Sequence, residues 1–127
     1  MTDIETTLAD LRRLVDAFVD RRDWHQFHTP KNLAMSLAIE AAELMEHFQW
    51  LTAEQSRAVA DEDDKLAAVG DELADVLCYV LAMANELGLD LSTALHRKML
   101  ANEKKYPAPE YRGRFGPDDP GPEPGRA

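Results

Sequence analysis

Two pairs of acids three residues apart, Glu40/Glu43 and Glu72/Asp75, stand inside stretches that are otherwise apolar. The first pair is flanked by Ala38-Ile39, Ala41-Ala42 and Leu44-Met45. The second directly precedes Val76 to Ala84, an unbroken apolar run. On a helix, residues three apart share a face, so each pair points one way. Asn32, Ser36, Glu40, Glu43 and His47 extend the first pair into a narrow polar stripe, and Tyr79 follows one turn after Asp75. Carboxylates taken out of water repel one another and lose hydration. They must therefore face solvent, keep protons, or be neutralised by a cation. An all-oxygen cluster suits Mg²⁺, or Mn²⁺ as a substitute. Zinc is not suited, because no Cys or His accompanies the acids at ligand spacing. A di-iron bundle would need Glu-x-x-His pairs, and here His47 follows Leu44 by three rather than a Glu. A second polar face, Lys98, Asn102 and Lys105, carries the opposite charge at helical spacing. Beside a metal cluster it would suit a polyphosphate.

Helices must position these groups. Ile4, Leu8, Leu11, Val15 and Phe18 repeat at helical spacing behind a Thr2/Glu5 capping pattern. Thr29-Pro30 starts a second helix reaching about Trp50. Thr52 and Gln55 cap a short one, which ends in the acid run 61–64. A third long helix spans about Lys65 to Leu87 and stops at Gly88. The last is capped by Asp90 or Ser92 and runs to about Tyr106. No alternating strand pattern and no repeat occurs, so the expected fold is an all-α four-helix bundle over residues 1–106. Every proline except Pro30 lies at or beyond Pro107, so 107–127 is expected to be a flexible tail. The segment from Leu33 to Leu51 is apolar nearly all round. One neighbouring hairpin cannot cover such a helix, so completion of the core by a homo-oligomer is expected.

Composition narrows the function classes. The 127 residues carry 24 acidic against 14 basic side chains, a net charge of −10. That field repels nucleic-acid polymers and anionic membrane surfaces alike. The longest apolar run is about half of what a spanning helix needs. One cysteine, Cys78, sits within that run. The N-terminus is acidic and lacks an apolar leader, so a cytoplasmic location is expected.

The paired acids with their 28-residue gap resemble the signature of the MazG-like all-α nucleoside triphosphate pyrophosphohydrolases. The resemblance is closest to the dCTP pyrophosphatase branch. It is carried by the blocks Arg22-Asp23-Trp24-His25-Gln26-Phe27-His28-Thr29-Pro30-Lys31-Asn32, Phe48-Gln49-Trp50, Asp71 to Tyr79, and Lys98-Met99 through Asn102 to Lys105-Tyr106-Pro107. It covers roughly residues 5–107. It implies Mg²⁺-dependent hydrolysis of a (d)NTP to the monophosphate and pyrophosphate, with dCTP or a modified dCTP as substrate, in clearing the nucleotide pool. It further implies that Glu40, Glu43, Glu72 and Asp75 hold the metal, with Glu40 or Glu43 as general base. Lys98, Asn102 and Lys105 would bind phosphate. His28 and Asn32 would contact base or sugar, and Trp24, Trp50 and Tyr79 would wall the base pocket. Such proteins assemble as dimers or as tetramers of two dimers. Two alternatives compete: a related all-α pyrophosphatase acting on phosphoribosyl-ATP, dUTP or other nucleotides, and a non-catalytic helical oligomerisation module.

Overall fold

A computed structural model describes residues 1–116 and 118–121. Among them all regular structure is helical, as the absence of alternating patterns led us to expect. The order is α1 (Leu8–Asp20), α2 (Pro30–Glu46), α3 (Ala53–Ala58), a single 3₁₀ turn (Val59–Asp61), α4 (Asp63–Leu87), α5 (Leu91–Lys105) and α6 (Ala108–Tyr111). The chain divides into two compact units, Met1–Leu89 and Asp90–Ala127. No helix is long and apolar enough to cross a membrane.

In the first unit α4 is the axis. α2 packs along it most extensively and α1 less so. Val19 of α1, Leu33 of α2, Val59 of the 3₁₀ turn, and Val69, Leu81, Ala82 and Ala84 of α4 are the buried apolar residues. Local chemistry explains the boundaries. The Thr29 hydroxyl accepts from Asn32 N at 3.2 Å, and Pro30 occupies the first helical position. Thr52 and Gln55 form the reciprocal capping box anticipated for α3. α4 begins inside the acid run, at Asp63, where carboxylates complement the positive helix end. It stops at Gly88, whose φ of 62° and ψ of 35° are left-handed and favour glycine.

Two expectations need correction. α1 begins after Thr7, not at Thr2. Thr7 and Asp10 form the capping box, with Asp10 N on the Thr7 hydroxyl at 3.1 Å and Thr7 N on the Asp10 carboxylate at 2.9 Å. Thr2 and Glu5 do bond, at 3.1 Å, but within an isolated turn that leaves Ile4 fully in solvent. α2 ends at Glu46, because the next amides reach back only three residues (His47 N to Leu44 O, Phe48 N to Met45 O) and tighten the chain into turns. A single copy leaves the apolar α2 largely open. Only Leu33 is buried, while Met35, Ile39 and Met45 are more than half exposed.

In the second unit Asp90, rather than Ser92, caps α5, accepting from Thr93 N at 2.8 Å. α6 lies within the segment expected to be a tail. After it Asp119 holds a turn by accepting from Phe115 N at 2.7 Å and Gly121 N at 2.9 Å. Those two bonds keep its carboxyl below the usual range. Residues 117 and 122–127 of that segment lie outside the described residues.

Candidate functional site

Helical spacing puts Glu40 and Glu43 on one face of α2, and the packing of α2 on α4 brings Glu72 to them. Carboxylate oxygens of these three residues lie within 4.8 Å of one another. One oxygen of Glu40 and one of Glu72 are buried without a hydrogen-bond partner. No lysine or arginine among the described residues forms an ion pair with any of the three, or with Asp75. Asp75 lies one turn beyond Glu72 and is exposed.

The consequence is electrostatic. The Glu40 carboxyl is pushed up to about 7, first by sharing a proton with Glu43, then by its partial removal from water. The charge of Glu43, proton sharing with Glu72 and the charge of Asp75 push the same way. Of the three ways out set by the sequence, solvent alone does not satisfy these oxygens. A proton or a cation must. The donor set is all oxygen and carries two unpartnered buried atoms, so it fits a hard divalent cation. Glu40, Glu43 and Glu72 would hold it, with Asp75 at the margin.

Beside this cluster a groove of about 510 Å³ opens between α1 and α4. Leu11, Val15 and Phe18 of α1 face Leu77 and Leu81 of α4, and Arg21, Asp75 and Cys78 are its polar members. Asp75 thus lines the apolar slot and acts on the charged cluster through its charge. Cys78 is half-buried, and burial, then the charge of Asp75, pushes its thiol up. It is therefore a protonated lining group rather than a nucleophile.

The connection from Arg21 to Thr29 contributes only Arg21 to the groove lining and packs its aromatic rings against Phe18. It turns at Asp23, which takes a left-handed φ of 53°, a conformation that aspartate tolerates better than most. Trp24 sets its ring edge-on to Phe18, 5.8 Å between centroids, and lies 6.2 Å from the His28 ring. The Arg22 guanidinium covers Phe18 at 3.6 Å. The Nδ1 atom of His28 is buried and unpartnered.

The other predicted residues are placed as follows. Asn32 donates through Nδ2 to Phe27 O at 3.0 Å, so its amide braces the same connection. Tyr79 is half-buried on α4. Trp50 is 86% exposed, and neither it nor Trp24, His28, Asn32 or Tyr79 is among the residues that line the groove. Lys98, Asn102 and Lys105 all lie on α5, in the second unit. There the Asn102 amide meets Met99 Sδ at 3.8 Å, and the Lys105 ammonium lies 5.3 Å from the Tyr106 ring centre. His47 caps α2 and is exposed.

Sequence reasoning missed the α1 side of the groove. Leu11, Val15 and Phe18 read as an ordinary core stripe; the one available signal was Arg21 continuing that stripe with a charge.

The MazG-like family model matches residues 35–114. The chain is similar to dCTP pyrophosphatase 1 of Rattus norvegicus, 42% identical over 109 residues, which is 86% of this chain and 64% of that protein. The Homo sapiens dCTP pyrophosphatase 1 is 43% identical over 104 residues, or 82% of this chain and 61% of that protein. The chain therefore spans less than two thirds of the length of these relatives. A crystal structure of a pyrophosphatase from Archaeoglobus fulgidus superposes with a TM-score of 0.70 at 39% identity, covering 79% of this chain and 92% of that one.

Proposed function

This chain belongs to the MazG-like family, and from that premise we propose that it is a Mg²⁺-dependent nucleoside triphosphate pyrophosphohydrolase acting on dCTP or a modified dCTP. The observation that carries the reading is the Glu40/Glu43/Glu72 cluster, with two buried oxygens that nothing in the chain satisfies. The names of the similar proteins support the substrate and reaction.

Glu40, Glu43, Glu72 and Asp75 would hold magnesium, or Mn²⁺ in its place. A cation there supplies the positive charge that a triphosphate's oxygens require. Water attacks the α-phosphorus, the bond from that phosphorus to the bridging oxygen breaks, and pyrophosphate leaves with the monophosphate left behind. The proton of the attacking water passes to Glu40 or Glu43. A carboxylate oxygen that the cation leaves unused is suited to that task. Lys98, Asn102 and Lys105 bind phosphate oxygens. Trp24, His28, Asn32, Trp50 and Tyr79 contact the base and sugar. The groove that ends on Asp75 has the size of a small-molecule slot and the apolar lining that a base requires.

The enzyme works in the cytoplasm as a homo-oligomer, a dimer or a tetramer of two dimers. The open apolar side chains Met35, Ile39 and Met45 on α2 and Leu73 on α4 support that assembly.

The test is product analysis on a panel of dNTPs and NTPs, with Mg²⁺ and with EDTA. Monophosphate plus pyrophosphate, formed only with Mg²⁺ and fastest from dCTP, is the expected result. Orthophosphate as the first product, or no turnover of any nucleotide by folded protein, would overturn the reading.

A further inference from the structure

His25 stands next to Trp24 in the connection between α1 and α2, and three carboxylates from two helices converge on its ring. Nδ1 lies 2.6 Å from Glu86 Oε1 of α4. Nε2 faces Asp16 Oδ1 at 3.6 Å and Asp20 Oδ1 at 3.9 Å, both on α1. No lysine or arginine among the described residues forms an ion pair with Glu86, Asp16 or Asp20. Three of the four nearby arginines are occupied elsewhere, and the fourth, Arg21, lines the groove. Arg12 bonds to Asn85 and to backbone carbonyls, Arg13 pairs with Asp10, and Arg22 covers Phe18. The charge of Asp23, on the connection itself, is met by Gln26.

An imidazolium has two N–H donors, and a neutral imidazole has one. A neutral ring that kept its proton on Nδ1 would turn a lone pair toward Asp16 and Asp20. A neutral ring with the proton on Nε2 would set a lone pair 2.6 Å from the Glu86 oxygen. The charged ring suits both sides best, donating to Glu86 and turning its positive edge toward Asp16 and Asp20, which lie beyond hydrogen-bond distance.

We propose that His25 is a positioning residue: a clamp that fixes the α1–α2 connection on α1 and α4, holds Trp24 against Phe18 at the groove wall, and loosens when the ring loses its proton. Its bearing on turnover rests on the reading of the groove as a nucleotide slot. Two further features support the clamp. The Trp24 amide already bonds to Val19 O at 3.1 Å, so the next residue along is the point where the connection is tied down. The His25 ring is also more basic than an ordinary histidine, chiefly through its bond to Glu86, with partial desolvation opposing and the charges of Glu86, Asp16 and Asp20 adding. The sign follows: the clamp is fully formed below the ordinary histidine pKa of 6.5 and is lost as pH rises through the higher folded value.

The experiment is an NMR titration of the full chain, following the His25 ring and the Trp24 indole N–H, paired with steady-state kinetics on dCTP and Mg²⁺ across the same pH range. His25 should titrate above 6.5, the Trp24 signal should move with the same midpoint, and Glu86→Gln should lower that midpoint. His25→Gln should remove the Trp24 transition and raise KM about threefold or more at pH 6.5, with a smaller change in kcat. The two failures read differently. A His25 midpoint at or below 6.5, or a Trp24 signal that ignores it, overturns the clamp whether or not nucleotide is hydrolysed. A clamp confirmed by NMR in a chain that turns over no nucleotide at any pH overturns the slot reading instead.

Discussion

α4 takes part in two polar sites that are built in opposite ways. Near its C-terminus Asn85 meets α1, and every group finds a partner. Arg12 Nε donates to Asn85 Oδ1 at 3.0 Å, and its terminal nitrogens donate to Leu89 O at 2.7 Å and Ala84 O at 3.1 Å. Asn85 Nδ2 returns a bond to Arg12 O at 3.0 Å. Toward the helix's N-terminal half Glu72 meets α2, and there like charges face one another with oxygens left over. The first site closes on itself and serves the fold. The second is incomplete by construction, and a fold that leaves carboxylates unsatisfied has given up stability for something outside the chain. Polar residues inside apolar helices therefore divide by whether their hydrogen bonds close within the chain.

The comparison can be broken most directly at the open site. Glu40→Ala or Glu72→Ala should cut turnover of dCTP by about 10²-fold or more, the scale seen when a group that stabilises transition-state charge is removed. Circular dichroism should show the helices intact, with melting in EDTA unchanged or raised because repulsion is relieved. A variant that keeps its activity would make the open site as structural as the closed one. Magnesium should act on the same site from outside. At a concentration about a hundred times its dissociation constant it should stabilise the chain by ~2.7 kcal/mol. In the Glu40→Ala variant that melting shift should vanish.

At the closed site the signature reverses. Arg12→Ala should leave turnover within about twofold at low temperature. It should destabilise the chain by ~2 kcal/mol, because the Asn85 amide oxygen and two carbonyls lose their donor. Denaturant melts and kinetics on one preparation separate the two effects.

A pH dependence of the metal-free chain is expected as well. The Glu40 carboxyl is held at about 7 in the fold against 4.5 in its ordinary state, so the fold binds a proton that the unfolded chain releases. Stability should therefore fall as pH rises from 4.5 through 7 and level off above. Glu40→Gln should flatten that part of the curve.

How much of this was legible in the sequence depended on range. Thr29-Pro30, Thr52/Gln55 and Gly88 act within one turn, so they marked α2, α3 and the end of α4 directly. The two acid pairs could be placed on one face each because helical spacing is local. That Glu72 would come to Glu40 followed from the same apolar flanks that force α2 onto α4. The start of α1 was not legible. Thr2/Glu5 and Thr7/Asp10 both satisfy a capping pattern, and tertiary contact with α4 decided between them, leaving Ile4 outside. The groove and the His25 clamp were illegible for the same reason. Each joins residues about sixty apart that carry no mark of one another. The apolar side chains left open on α2 look like core in the sequence and like surface in a single copy.

The Arg12–Asn85 seam has a kinetic meaning as well. It joins residues 73 apart, in a fold whose other hydrogen bonds are largely local turns of helix. Closing so long a stretch costs chain entropy before any bond can repay it, whereas each turn of helix closes over only a few residues. The seam should therefore form after the folding barrier and act as a latch on the finished unit. Its loss should show mainly as faster unfolding, with refolding little changed. The lifetime of the folded first unit would then be set at a place remote from the carboxylates, leaving the open site free to carry its repulsion.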